Sequence, residues 1–422
     1  MRKTFICLLV AVATFGLASG GNYQELPAIL DGSMSLYDFG AVEPSAIPDS
    51  LQPRCISYIA RHGARFLTSE DKITAVEQAL HEAEMKGALT RKGRKCLALM
   101  DSVRRHTAGR WGLLSPEGIA QEWRLGREMA LMYPEIFREK EVSIKSVSSY
   151  VTRVIETMDN FTCAVAREYP GLSTSARSGH EFDELTRFFV TDSAYNAWRE
   201  DGCWKEVYHD FTQRFLPKSP AESLVTGAAG FSDKKLRKLS YNLYKVLQGL
   251  RAMGLPAPTT EWMSRNDYRR CWEATNLEKY FRYSLSPLST QPAKGARKVA
   301  ETLINQASGL LKVEFEGGVN AIFGHAETLL PIYALLGVQG ATALPLDYDT
   351  LAMHWSDAEL TPLGANLEII YSQSESGRWY AAMRLNGHNI SPVNDPTRLN
   401  VPLPELLDYW HNRLSQLLNI QI

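Results

Sequence analysis

Cys55-Ile56-Ser57-Tyr58-Ile59-Ala60-Arg61-His62-Gly63-Ala64-Arg65 is the stretch from which the fold is read. Its first six residues have the apolar and β-branched character of a short buried strand, and they run without a break into Arg61-His62-Gly63. Beyond the turn, Ile73, Val76, Leu80 and Ala83 recur at helical spacing, which predicts a helix with Thr68 and Asp71 as a capping-box pair. The strand-then-helix succession returns twice. Residues 142–148 predict a strand and 151–167 a helix. Residues 319–323 predict another strand, followed by Gly324-His325-Ala326-Glu327 and an apolar helical run to Leu336. Between the first two units, Ser115 as N-cap and Pro116 in the first turn open a helix that stops near Pro134. Residues 367–371 and 379–385, with Ser and Gly between them, predict a β-hairpin. Strands alternating with helices predict an α/β fold, a sheet flanked by helices.

Around this frame the chain changes character twice. Arg2 and Lys3, an apolar run over 5–18 and the small residues Ala18-Ser19-Gly20 make residues 1–20 a cleavable export signal. That run is too short to span a membrane, and no other stretch is longer. Residues 176–294 are rich in Trp, Tyr, Lys and Arg and show helical runs such as 233–253, without buried-strand patterns. They predict a mostly helical insertion, a cap, between two halves of an α/β core at 21–175 and 295–422. The 422 residues, 45% hydrophobic and 22% charged, leave ample apolar material for such a core. Lys and Arg number 46 against 47 Asp and Glu, so the chain lacks the basic excess of a nucleic-acid binder, and attraction for an anion must be local. Removing the signal leaves Cys55, Cys96, Cys163, Cys203 and Cys271, an odd number, none at metal or redox spacing. For an exported chain they predict one or two disulfides.

The three strand-to-helix junctions carry the chemistry. Arg61, His62 and Arg65 stand at the first, Arg153 in the opening turn after the second, and His325 with Glu327 at the third. Ligands of open α/β sheets bind at the carboxyl ends of the strands, where helix N-termini favour anions. The junctions therefore predict an anionic pocket holding two imidazoles and one carboxyl group. Phosphoryl transfer needs a nucleophile, neutralisation of the phosphoryl oxygens and a proton for the leaving oxygen. A neutral His62, the forked donors of Arg61, Arg65 and Arg153, and Glu327 meet those needs without a metal or other cofactor. Each residue alone has a plainer reading, as a core histidine, a surface ion-pair partner or a carboxylate favouring its helix end. Those plain readings would have to coincide at three junctions.

Arg61-His62-Gly63-Ala64-Arg65 resembles the RHGxR signature of the histidine acid phosphatase branch of the histidine phosphatase superfamily. Leu114-Ser115-Pro116-Glu117-Gly118, with Gln121 and Leu125-Gly126, is similar to the helix opening that comes after it there. Arg153 matches that family's third phosphate-binding arginine. His325-Ala326-Glu327 stands where most acid phosphatases carry His-Asp, and resembles the variant of multiple inositol-polyphosphate phosphatases. Residues 182–195 and 366–386 look like that subgroup too. The resemblance implies a histidine-phosphatase-like sheet with an inserted cap. It implies His62 as nucleophile, Arg61, Arg65, Arg153 and His325 as phosphate ligands, and Glu327 as proton donor. The implied partner is a small phosphorylated substrate, phytate or a lower inositol phosphate, hydrolysed stepwise. Thr68 belongs to the same loop, and Arg187, at the start of the insertion, is a candidate for another phosphate of the ring. The family usually reads RHGxRxPT; Leu67 replaces the proline here, which bears on the rigidity of the loop near Thr68.

A broad-specificity exported acid phosphatase would carry the same groups. A non-hydrolysing phosphosugar-binding protein would lack His62 or Glu327, and a phosphomutase would not be exported. Residues 86–112 hold eight cations against Asp101 alone, which reads as a solvated helix face rather than a funnel for anions. The sequence leaves the oligomeric state open.

Overall fold

Residues 55–61 are all buried, the pattern of a strand covered on both faces. In the computed structural model, which describes residues 23–139, 142–312, 317–342 and 347–419, they end a strand longer than expected, β1 (Leu51–Arg61). The expected export signal lies outside the described residues. The other strands are β2 (Ser143–Ser148), β3 (Ser173–Ser178), β4 (Gly318–Gly324), β5 (Asn366–Ser374), β6 (Trp379–Leu385), β7 (His388–Ile390) and β8 (Asn400–Pro402). They form one sheet in the order β3-β2-β4-β1-β5-β6-β7, with β8 pairing to β6. The first four in that order are parallel, and β5 and β6 form the expected antiparallel hairpin.

Helices arise from the periodicities. They include α1 (Asp71–Met85), α2 (Arg91–Thr107), α3 (Pro116–Met132), α4 (Thr152–Glu168), α5 (Arg265–Tyr283), α6 (Ala326–Leu336) and α7 (Leu403–Asn419). The buried face of α1 is the set Ile73, Val76, Leu80 and Ala83, but Glu70 is its N-cap and gives no side-chain cap. The Ser69 hydroxyl donates to the Asp71 carboxylate at 2.8 Å, so Asp71 is engaged locally rather than with Thr68. Ser115 does cap α3, accepting from the Gly118 amide. On one side of the sheet Tyr58 stacks on Phe161 of α4 at 4.6 Å, with Phe323 and Met129 in the same core. On the other, Ile59 and Ile322 pack with Leu329 of α6 and Trp410 of α7. Alternate residues of each strand thus feed two cores, which is why the central strands read as continuous apolar runs.

Among the described residues, 179–309 holds helices and turns, with single bridges such as Leu89 to Val225 and no longer strand. β3 crosses residue 176, where the insertion was expected to begin, so the sheet extends to Ser178. All six of its residues are exposed, and a polar edge strand carries no alternation from which to be read. The disulfides do not form: all five cysteines are free, with Cys55, Cys96 and Cys271 buried as small apolar groups and Cys163 and Cys203 exposed. In the basic stretch, Lys86, Lys95, Arg104 and Arg105 pair with Glu82, Glu261, Glu70 with Glu77, and Asp101. No helix among the described residues is long and apolar enough to cross a membrane.

Candidate active site

The register of the sheet aligns the three junctions. Arg61 pairs with Gly324 across β1 and β4, and Ser148 pairs with Phe323 across β2 and β4. The parallel strands therefore end side by side, and their three outgoing loops lie together at one edge of the sheet. The loop after β1 is pinned on every side. The His62 amide donates to Gly324 O at 3.1 Å, and the Gly63 amide to Thr157 Oγ1 of α4 at 3.1 Å. The Ala64 amide donates to Gln121 Oε1 of α3 at 3.0 Å. Phe66 and Gly112 exchange backbone bonds with Leu113 and Leu67 at 3.0 and 2.7 Å, and the Arg110 guanidinium lies 4.2 Å from the Phe66 ring. Tertiary contacts thus hold this loop where the family's proline is missing.

Close approach of α3 to the loop requires Gly118. A Cβ there would lie 2.0 Å from Ala64 O and 2.9 Å from Ala64 N. Gly118→Ala therefore forces helix and loop apart, and should lower stability by about 1–3 kcal/mol with a matching loss of activity. Chemical denaturation against the wild type checks it; an unchanged midpoint would show that the helix can retreat freely.

His62 Nδ1 lies 3.0 Å from Gly63 O. A carbonyl can only accept, so Nδ1 carries the proton and Nε2 keeps its lone pair. Burial holds this imidazole well below its ordinary range, and the charges of Arg153, Arg61, Arg65 and His325 push the same way. The His325 ring stands 5.5 Å from His62, nearly edge-on at 74°, and 6.0 Å from Phe189. Its Nε2 is 3.3 Å from Ser149 Oγ, just past β2. Burial pushes it down to about 3, with Glu327 opposing and Arg153, Arg187 and Arg61 adding. Both rings are neutral in the empty site.

The arginines are fixed and under-used. Arg61 Nη1 donates to Ser33 O at 2.5 Å and to Thr361 O at 2.6 Å, and Arg65 Nη1 to Phe66 O at 2.9 Å. Yet the Nε atoms of Arg61, Arg65 and Arg153 are all buried without a partner. Burial, with mutual repulsion, pushes Arg61 down to about 10 and Arg65 to about 9. Three buried donors without acceptors beside charges that repel one another describe a cradle that an anion completes. Burial favours the neutral form of Glu327, but His325, its own amide, Arg61 and Lys279 outweigh it and hold the carboxyl at about 2.

All the residues expected at the junctions thus share one electrostatic environment. Arg187 joins them: it lies over Tyr150 at 4.6 Å and perturbs both Arg153 and His325. Thr68 is exposed at the rim. A Cβ on Gly112 would touch Thr68 Cγ2 at 3.8 Å and Arg153 Nη1 at 3.6 Å, so the two flank one glycine. Lys279 of α5 was not foreseen. It lies 217 positions from His62 in sequence, where no local spacing marks it.

Fixed guanidinium donors awaiting an anion, next to an imidazole held neutral, define a phosphoric monoester hydrolase. The chain belongs to the histidine phosphatase superfamily (branch 2), whose model matches residues 54–383. Among solved structures, it is similar to a Bifidobacterium longum multiple inositol polyphosphate phosphatase in complex with inositol hexasulfate. The TM-score is 0.77 at 15% identity, covering 89% of this chain and 96% of that one. It is also similar to the phytase of D. castellii, with a TM-score of 0.70 at 17% identity over 92% of this chain and 85% of that one. These likenesses are of fold. No curated protein matches the sequence.

Proposed function

We propose that this phosphatase is exported and hydrolyses phytate and lower inositol polyphosphates one phosphate at a time through a phosphohistidine. The observation that carries the mechanism is the Nδ1 contact of His62 with Gly63 O at 3.0 Å, which leaves Nε2 unprotonated among three guanidinium groups. In this reading Nε2 attacks phosphorus in line and the ester P–O bond breaks. The leaving oxygen takes a proton from Glu327. Water then attacks the phosphohistidine, Glu327 takes its proton, and phosphate leaves with His62 neutral again. Arg61, Arg65, Arg153 and His325 hold the phosphoryl oxygens throughout. The helical segment after β3 acts as a cap, and Arg187 and Thr68 contact the substrate around the scissile group.

Glu327 must carry a proton to act as acid, although the empty site holds it ionised. A bound phosphate dianion supplies the missing step: it neutralises the cations that depress Glu327, and burial then favours the protonated carboxyl. The proton is brought by enzyme and substrate together, so kcat/KM should fall as pH rises past about 6, where a phosphate monoester loses its second proton. It should stay high on the acid side, because His62 is neutral far below the ordinary imidazole value of about 6.5. An acid limb centred near 6.5 would show an ordinary histidine and overturn this account.

The substrate is tested by phosphate release from phytate and from p-nitrophenyl phosphate, with chelator present. Rapid release from phytate supports the proposal. Cleavage of the small ester alone favours the broad-specificity acid phosphatase, which shares every group described.

A further inference from the structure

Arg61 is held by backbone, and the backbone is held by one buried carboxylate. Asp357, wholly buried in the short helix Asp357–Leu360, accepts at Oδ2 from the Ser33 amide at 2.9 Å and from Lys279 Nζ at 2.6 Å. At Oδ1 it accepts from Trp272 Nε1 at 3.0 Å. Its backbone oxygen accepts from the Thr361 amide at 2.9 Å and the Thr361 hydroxyl at 3.1 Å. The next atoms along both branches are Ser33 O and Thr361 O, the two acceptors of Arg61 Nη1.

We infer that Asp357 is a positioning residue for the phosphate site: by fixing the Ser33 and Thr361 carbonyls it sets the guanidinium of Arg61, and through Lys279 and Trp272 it ties that guanidinium to helix α5. The two carbonyls consume both protons of Nη1, so the group cannot rotate, and Nε–H stays buried without an acceptor until an anion arrives. The approach of chain to carboxylate is built in at Gly32, which has φ of 63°. A Cβ there would come within 3.2 Å of Asp357 Oδ2 and 3.1 Å of the Trp272 ring. Asp357 stays ionised against its burial because Lys279, Trp272 and the Ser33 amide favour the charge. A bare carboxylate can accept from all three donors at once, which an amide cannot.

The inference rests on reading Arg61 as a phosphate ligand, and inorganic phosphate is therefore the probe. Binding is measured by calorimetry, so the result does not depend on turnover or on which ester is cleaved. Asp357→Asn should weaken phosphate binding about tenfold, whereas in an Arg61→Lys background it should cost less than about twofold, since residues acting through one another are not additive. The variant also orphans the buried charge of Lys279. Asp357→Asn with Lys279→Met removes both charges and is measured in the same two backgrounds, with thermal melting to establish folding. Equal losses in both backgrounds, or full phosphate affinity in the folded double variant, would assign Asp357 to packing alone. A folded wild type that binds no phosphate instead removes the phosphate-site reading, and the inference with it.

Discussion

His62→Ala should lose turnover of phytate and of p-nitrophenyl phosphate alike, by about 10⁴-fold or more, because a covalent route loses its acceptor atom. The loss is the same for both esters, since the nucleophile acts before the leaving group matters. The arginine cradle does not depend on the ring: Arg61 is held by Ser33 O and Thr361 O, and Arg65 by Phe66 O. Inorganic phosphate should therefore still bind. Rapid denaturation in alkali during turnover should trap a phosphoenzyme from the wild type and none from the variant. A phosphoryl group trapped on His62→Ala would place the nucleophile elsewhere, with His325 the first alternative at 5.5 Å between ring centres.

Glu327→Gln should split the two substrates. The alkoxide of an inositol leaves poorly without a proton, so phytate hydrolysis should fall about 10²–10⁴-fold, the usual worth of a general acid. p-Nitrophenolate leaves readily unprotonated, and that ester should lose much less. The variant also removes an anion lying within reach of Arg61, Lys279 and His325. Phosphate should then inhibit more strongly, because the cradle keeps its cations and loses their internal partner. Slower phytate turnover with tighter phosphate inhibition separates a proton donor from a residue that merely supports the loop. Equal losses on both esters with weaker inhibition would point to the structural role.

The site expected from three motifs was legible because each motif is local. A strand that ends in Arg-His-Gly, a helix that opens with Arg153 and a strand that ends in His-Ala-Glu are set by residues within a few positions of one another. Their roles come from the chemistry of the side chains. The central strands were legible too, as apolar runs buried on both faces, and so was the β5–β6 hairpin. The misses share one cause. β3 is polar and exposed, α1 is capped at Glu70 because Ser69 engages Asp71, and the cysteines sit in apolar packing instead of pairing. Each depends on neighbours that spacing does not reveal.

The sequence by itself determined which groups meet a phosphate, since covalent spacing fixes what stands at the end of each strand. Only the tertiary structure decided that the strands lie in the order β2-β4-β1, which puts those ends together. It also decided the tautomer of His62, through one carbonyl, and the depressed ionisation of both imidazoles, through burial. The placing of Lys279 and Asp357 around Arg61 was settled there as well. Hydrogen bonds and burial join residues hundreds of positions apart, and their energies exist only once the chain has closed on itself.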